Sequence, residues 1–265
     1  MAKGESIADT SRVISGYVDA LVVRHPERGA AAQFAAATNV PVVNGGDGPG
    51  EHPSQALLDL YTIGREFARL DKHIDGAHIA LIGDLKYGRT VHSLIKLLAL
   101  YRGLRFTLIA PAGLELPAAL CEAVARRGHA IECRHVLHAP LAAVDVTYAT
   151  RIQRERFAGE AVEGYNAEFR VDRAFLDRCC TPTTVLMHPL PRDASPDAYD
   201  LSTELDTDPR CAIFRQSDSG VAVRMAIFAA LLGVGHLLRG PLADARWRSP
   251  ARLGPHDAPF HTLAG

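Results

Sequence analysis

His78-Ile-Ala-Leu-Ile-Gly83-Asp-Leu-Lys-Tyr-Gly-Arg89-Thr-Val-His-Ser93 decides the fold class. Its unbroken apolar run closed by glycine reads as a buried strand, and the residues from 90 to 101 repeat apolar positions at helical spacing. The segment is therefore strand, loop, helix. The same alternation continues on both sides. Strands are expected at 105–110, 130–134, 145–149, 184–187 and 212–214, with helices at 117–127 and 221–238. Upstream, residues 20–24 and 41–44 read as short strands around an alanine-rich helical segment, and 52–70 is an amphipathic helix. Such alternation predicts an α/β protein of two Rossmann-like domains, with parallel sheets covered by helices on both faces. Ligands in such sheets sit where strands end and loops begin.

The bulk composition is that of a globular enzyme-sized chain. It has 265 residues, 48% of them hydrophobic and 22% charged, with a formal net charge of -1. That near-neutral balance gives no reason to expect nucleic acid or an anionic membrane as partner. The five cysteines (Cys121, Cys133, Cys179, Cys180 and Cys211) show no metal-type spacing and read as reduced thiols. No apolar run reaches membrane-spanning length, and the opening residues do not form a signal peptide, so the expected location is the cytoplasm. Residues 241–265, which include Trp247, read as an extended tail.

Four segments carry side chains suited to chemistry. His52-Pro-Ser-Gln55 follows the glycine-rich loop 45–51 and opens a helix, where free N–H groups favour an anion or a carbonyl. By itself it also reads as a simple capped helix start. The loop 83–89 lacks the spacing of a dinucleotide or Walker loop. Arg89 at its end suits a carboxylate or phosphate, and equally a surface ion pair. In Tyr148-Ala-Thr-Arg151-Ile-Gln153, an extended chain puts Arg151 and Gln153 on one side, as a carboxylate clamp or a solvated charged loop. Met187-His188-Pro189-Leu190-Pro191-Arg192 has prolines that fix the backbone, so its carbonyls can accept from a ligand's amide.

Taken in order, these segments, with Lys3-Gly-Glu-Ser6 and Arg24-His-Pro26, resemble the aspartate branch of the aspartate/ornithine carbamoyltransferase family. The resemblance runs from Lys3 to about residue 240. Ornithine-specific members carry a cysteine within the corresponding His-x-Leu-Pro segment, where this chain has Pro189. The resemblance implies that Arg24 contacts the phosphate of carbamoyl phosphate and that His52 polarises its carbonyl. It implies that Gln55 and the carbonyls of Pro189 and Leu190 orient the carbamoyl amide. Arg89 with Thr90, Arg151 and Gln153 are expected to hold aspartate or a similar dicarboxylate. Lys3 is expected to reach a neighbouring subunit's site in a homotrimer. Neither cofactor nor metal is implied. The implied domains are 1–65 with a return helix at 221–240 for carbamoyl phosphate, and 66–220 for aspartate.

The family also uses a Ser-x-Arg-Thr loop as its phosphate cradle, and no such motif occurs in this sequence. The expectation is a first domain that is incomplete, with about two strands remaining and weakened phosphate binding. Three outcomes fit the residues: carbamoyl transfer to aspartate, completed if needed by a partner polypeptide; a reaction on another dicarboxylate; and a non-catalytic assembly partner.

Overall fold

The computed structural model describes residues 4–137, 141, 143–152, 169–193 and 200–239. In chain order the main elements are α1 (Ile7–Ser15), β1 (Leu21–His25), α2 (Ala30–Ala36), β2 (Val42–Asp47), α3 (Pro53–Arg69), β3 (His78–Gly83) and α4 (Arg89–Leu98). They continue with β4 (Arg105–Ile109), α5 (Ala118–Ala125), β5 (Ala130–Arg134), β6 (Val146–Thr150), α6 (Arg173–Cys179), β7 (Val185–Met187) and α7 (Ile213–Leu231). Short 3-10 turns occupy Thr203–Thr207 and Gly235–Arg239.

β1 and β2 form a two-stranded parallel sheet, and the other five strands form a parallel sheet in the order β5-β4-β3-β6-β7. Side chains alternate across this second sheet as the two-residue period requires. Ile79 and Leu81 enter the core built with α3, α4 and α5, whereas Ala80 and Ile82 enter the core shared with α6. Both faces are covered, which is why β3 and β6 are buried along their whole lengths. In the smaller sheet, Leu21 and Val23 pack on Phe34 of α2. Val22 and Arg24 consequently project from the opposite face.

α7 packs along α3 and reaches β7, so it ties the smaller sheet's helix to the larger unit. Its position corrects two expectations. Residues 212–214 do not form a strand: Cys211 makes only an isolated bridge with Leu186, and the helix starts at Ile213. The helix expected at 221–238, and the return helix at 221–240, instead run from Ile213 to Leu231. A turn at Gly233, with φ of +69°, then precedes the 3-10 segment. Buried Gln216 and the ion pair from Arg215 to Glu66 of α3 anchor the polar first half of this helix. Glu66 also pairs with Arg69, and these two cations hold its carboxyl below the usual range despite burial.

Among the described residues, no helix is long and apolar enough to cross a membrane. The segment 241–265 lies outside the described residues.

Candidate active site

β3 is the strand at which the larger sheet reverses its order, with β4 and β5 to one side and β6 and β7 to the other. The crevice outside the carboxyl ends of β3 and β6 is therefore the topological switch point, the place where open α/β sheets bind ligands. Gly83 and Thr150 end these two strands side by side. A Cβ at Gly83 would lie 2.1 Å from the Thr150 carbonyl oxygen, and its φ of +112° independently requires glycine. Arg89 follows β3 after a short loop, and Arg151 immediately follows β6. Both cations thus reach the same end of the sheet.

Arg89 is buried as the first residue of α4. Its Nη1 donates to the Gly48 carbonyl at 3.1 Å, which joins the larger unit to the glycine-rich loop after β2. The loop is shaped for this: a Cβ on Gly46 would come within 2.7 Å of the guanidinium carbon. The Thr90 hydroxyl is buried beside the Tyr148 phenol.

His52 is the N-cap of α3, with Pro53 in the first turn. Its backbone N–H donates to Ser93 Oγ at 2.9 Å, and Ser93 donates to Glu51, which Lys96 pairs. This chain fixes the helix start against α4. The ring Nδ1 lies 3.3 Å from Ser54 Oγ. Burial, and then the charges of Arg89, Arg24 and Arg224, push its pKa down to about 4. At neutral pH the imidazole is uncharged, and a neutral ring that accepts from Ser54 at Nδ1 carries its proton on Nε2.

Two adjoining cavities meet here. The larger, about 230 Å³, is lined by Arg24, His52, Ser54, Arg224, Gly45 and apolar residues of β1, β2 and α7. The smaller, about 110 Å³, is lined by Gln55, Leu58, His188, Pro189, Leu190, Ile213, Gln216, Ser217 and Arg224. Arg224 borders both. It lies back along α7 because Gly220 offers no Cβ, which would sit 2.2 Å from the guanidinium.

The floor of the smaller cavity is a buried polar network. Asp59 Oδ1 accepts from Gln55 Nε2 at 2.9 Å and Gln216 Nε2 at 2.6 Å, and Oδ2 accepts from Tyr148 at 2.8 Å. Complete burial pushes the Asp59 carboxyl up to about 7 against the pull of these three donors. Gln216 Oε1 accepts the His188 backbone N–H at 2.9 Å, and His188 Nδ1 accepts the Leu190 N–H at 2.9 Å. His188 Nε2 faces Asp200 Oδ2 at 3.4 Å, a long contact for a hydrogen bond. Leu190 has φ of +54°, so the Pro189–Leu190 turn is held in a conformation that its surroundings must enforce.

Of the residues singled out in the sequence, the structure brings exposed Arg24 and buried Arg89 close to the buried His52, and Gln55, Pro189 and Leu190 around the adjoining cavity. Arg151 is half-buried at the end of β6, with Nη1 3.4 Å from the Ile152 carbonyl, and lines neither cavity. Lys3 and Gln153 lie outside the described residues. Sequence reasoning missed Asp59, Gln216 and Arg224. Asp59 was accessible to it, since it stands four residues after Gln55 on the same helical face. Gln216 and Arg224 needed the true start and facing of α7. Among the described residues no three His, Cys, Asp or Glu side chains group so as to hold a metal ion.

Comparison with known proteins places the chain in a family. Residues 75–231 match the family model "Aspartate/ornithine carbamoyltransferase, Asp/Orn binding domain", and residues 1–65 match its carbamoyl-P binding domain. The chain is 53% identical over 264 residues to the aspartate carbamoyltransferase catalytic subunit of Dichelobacter nodosus, covering 99% of this chain and 76% of that one. It is 48% identical over 253 residues to that of Cellvibrio japonicus, covering 95% and 75%. Among solved structures, Trypanosoma cruzi aspartate transcarbamoylase in complex with carbamoyl phosphate and aspartate superimposes with a TM-score of 0.77 at 40% identity, covering 86% of this chain and 71% of that one. The catalytic subunit of M. jannaschii aspartate transcarbamoylase gives 0.75 at 39% identity, covering 89% and 73%. With family models over both halves of the molecule, the chain belongs to the aspartate/ornithine carbamoyltransferase family.

Proposed function

We propose that this chain transfers the carbamoyl group of carbamoyl phosphate to the amine of L-aspartate, as the names of its relatives indicate for them. The observation that carries this reading is the pairing of a pocket lined by Arg24, Arg224 and the buried His52 with an adjoining cavity walled by an amide and a fixed backbone turn. Arg24 and Arg224 face the phosphate. His52, neutral and protonated at Nε2, donates to the carbamoyl carbonyl oxygen as negative charge builds on it. Gln55 Oε1 and the carbonyls of Pro189 and Leu190 accept from the carbamoyl NH2. Arg89 with Thr90, and Arg151, take the carboxylates of aspartate in the crevice between β3 and β6, a role that Gln153, outside the described residues, shares in this proposal.

Chemistry then follows from placement. The deprotonated amine of aspartate attacks the carbonyl carbon and forms a C–N bond. The resulting tetrahedral species collapses by breaking the carbon–oxygen bond to phosphate, and the amine's surplus proton passes to the departing phosphate. No covalent enzyme intermediate is required. Holding the two reactants against each other lowers the entropic part of the barrier. A homotrimer in which Lys3 enters a neighbouring site is part of the same proposal, as is a cytoplasmic location.

Incubation with carbamoyl phosphate and L-aspartate, with detection of N-carbamoyl-L-aspartate, tests this directly. Product above the uncatalysed background is expected. Arg151→Ala should raise the KM for aspartate about 10- to 100-fold, the value of one charge-assisted contact, with the KM for carbamoyl phosphate little changed. Absence of product, with the chain folded, rejects the reading.

A further inference from the structure

We propose that Asp59 is a specificity-determining positioning residue, which fixes the end of the Gln55 amide presented to the carbamoyl group. The inference rests on the carbamoyl-transfer reading and deepens it. Asp59 is fully buried in α3 and lines neither cavity. Its Oδ1 accepts from both Gln55 and Gln216. An amide is donor at one end and acceptor at the other, and a carboxylate oxygen can only accept. Gln55 must therefore turn its nitrogen toward Asp59, because the flipped amide would set two oxygens 2.9 Å apart. Its Oε1 is left for the cavity that Gln55 lines.

The same oxygen sets the polarity of a second amide. Gln216 commits its nitrogen to Asp59, so its Oε1 is free to accept the His188 N–H. His188 in turn holds the Leu190 N–H. One carboxylate thus orients Gln55 directly and anchors the 188–190 turn through Gln216. The wall is made acceptor-rich, which suits an NH2 group and penalises an acyl group without N–H donors. A site built around a hydrogen bond rejects the analogue lacking it, because its own polar groups are left unpaired.

The third donor explains how the arrangement tolerates protonation of Asp59. Tyr148 donates to Oδ2 and lies beside the buried Thr90 hydroxyl. When Oδ2 carries a proton, Tyr148 accepts it and turns its own proton to Thr90. Oδ1 keeps both amides throughout.

The test compares carbamoyl phosphate with acetyl phosphate, which replaces the NH2 by a methyl group. The readout is the ratio of the acetyl phosphate Ki to the carbamoyl phosphate KM, measured on the full chain with L-aspartate as acceptor. Asp59→Leu is expected to lower this ratio at least about tenfold, the value of one oriented hydrogen bond, through the carbamoyl phosphate KM. The aspartate KM should stay within about threefold. Gln55→Leu should give the same loss, and the double substitution no further loss. Asp59→Asn retains the ratio, because its Oδ1 still accepts from both amides while its NH2 faces Tyr148. Where Asp59→Leu does not fold, Asp59→Ser carries the same expectation. An unchanged ratio in the folded variants, with normal transfer by the unsubstituted chain, overturns this inference alone. Independent, multiplying losses at Asp59 and Gln55 also overturn it. No transfer by the unsubstituted chain overturns the parent reading and this one with it.

Discussion

Replacing His52 by alanine should lower kcat for carbamoyl transfer about 100- to 1,000-fold, the cost of removing one preorganised oxyanion donor. The KM for aspartate should change far less. The expectation follows from the state of the ring. Burial and three flanking guanidinium groups keep it neutral down to a pKa of about 4. A neutral ring that accepts from Ser54 at Nδ1 presents one donor, Nε2–H, to the cavity it lines. Steady-state kinetics on His52→Ala, with circular dichroism to show that α3 still forms, checks the result. Equal falls in kcat for His52→Ala and for an exposed control such as Lys86→Ala would show that the ring has no such role.

Asp59→Asn should make the protein more stable at pH 8 than at pH 5, relative to the unsubstituted chain, by about 2–3 kcal/mol. The folded-state pKa of Asp59 is raised from 3.8 to about 7. Below pH 3.8 the acid is protonated in both states and the shift has no effect. Between 3.8 and 7 the unfolded chain releases the proton and the folded chain keeps it, so stability falls as pH rises. Above 7 both forms are ionised and the loss is constant. His52 works in the opposite direction between about 4 and 6.5, because its pKa is lowered in the folded state. The difference between variant and parent, not the parent's own profile, therefore isolates Asp59. The depressed carboxyls of Asp47, Glu66, Asp200 and Asp208 stabilise the fold above their normal range and lose that contribution only as pH falls through it. Urea melts at the two pH values give the measurement.

The parts of the fold legible in the sequence are those where local pattern and tertiary burial agree. β3 was read with its observed ends, because four apolar residues stop at a glycine that the Thr150 carbonyl makes obligatory. β5 was equally clear. α7 was not, since Arg215-Gln-Ser-Asp-Ser-Gly220 reads as a polar loop. It is helical because Gln216 and Arg215 find partners on α3, a tertiary gain invisible to periodicity. α1 was also unread, although Ser6 accepts from the Asp9 N–H as its N-cap. The spacing of Ser6 and Asp9 was a usable signal.

The candidate site divides along the same line. Arg24 is legible from strand alternation, and His52 and Gln55 from the helix start. The shared Asp59 contact with Gln216 joins positions 157 residues apart, and nothing local announces it. Arg89 shows a third case. Its motif was visible, but its packing against Gly46 and Gly48 appears only when the two sheets are brought together.

Titration calorimetry with N-(phosphonacetyl)-L-aspartic acid, the ligand bound in a Trypanosoma cruzi relative, addresses both halves of the site at once. The chain is expected to bind it, and Arg24→Ala and Arg151→Ala should each weaken binding about 10- to 100-fold. No binding at about 1 mM ligand, where even a contact of roughly 4 kcal/mol would register, would contradict the assignment. So would binding that neither substitution disturbs.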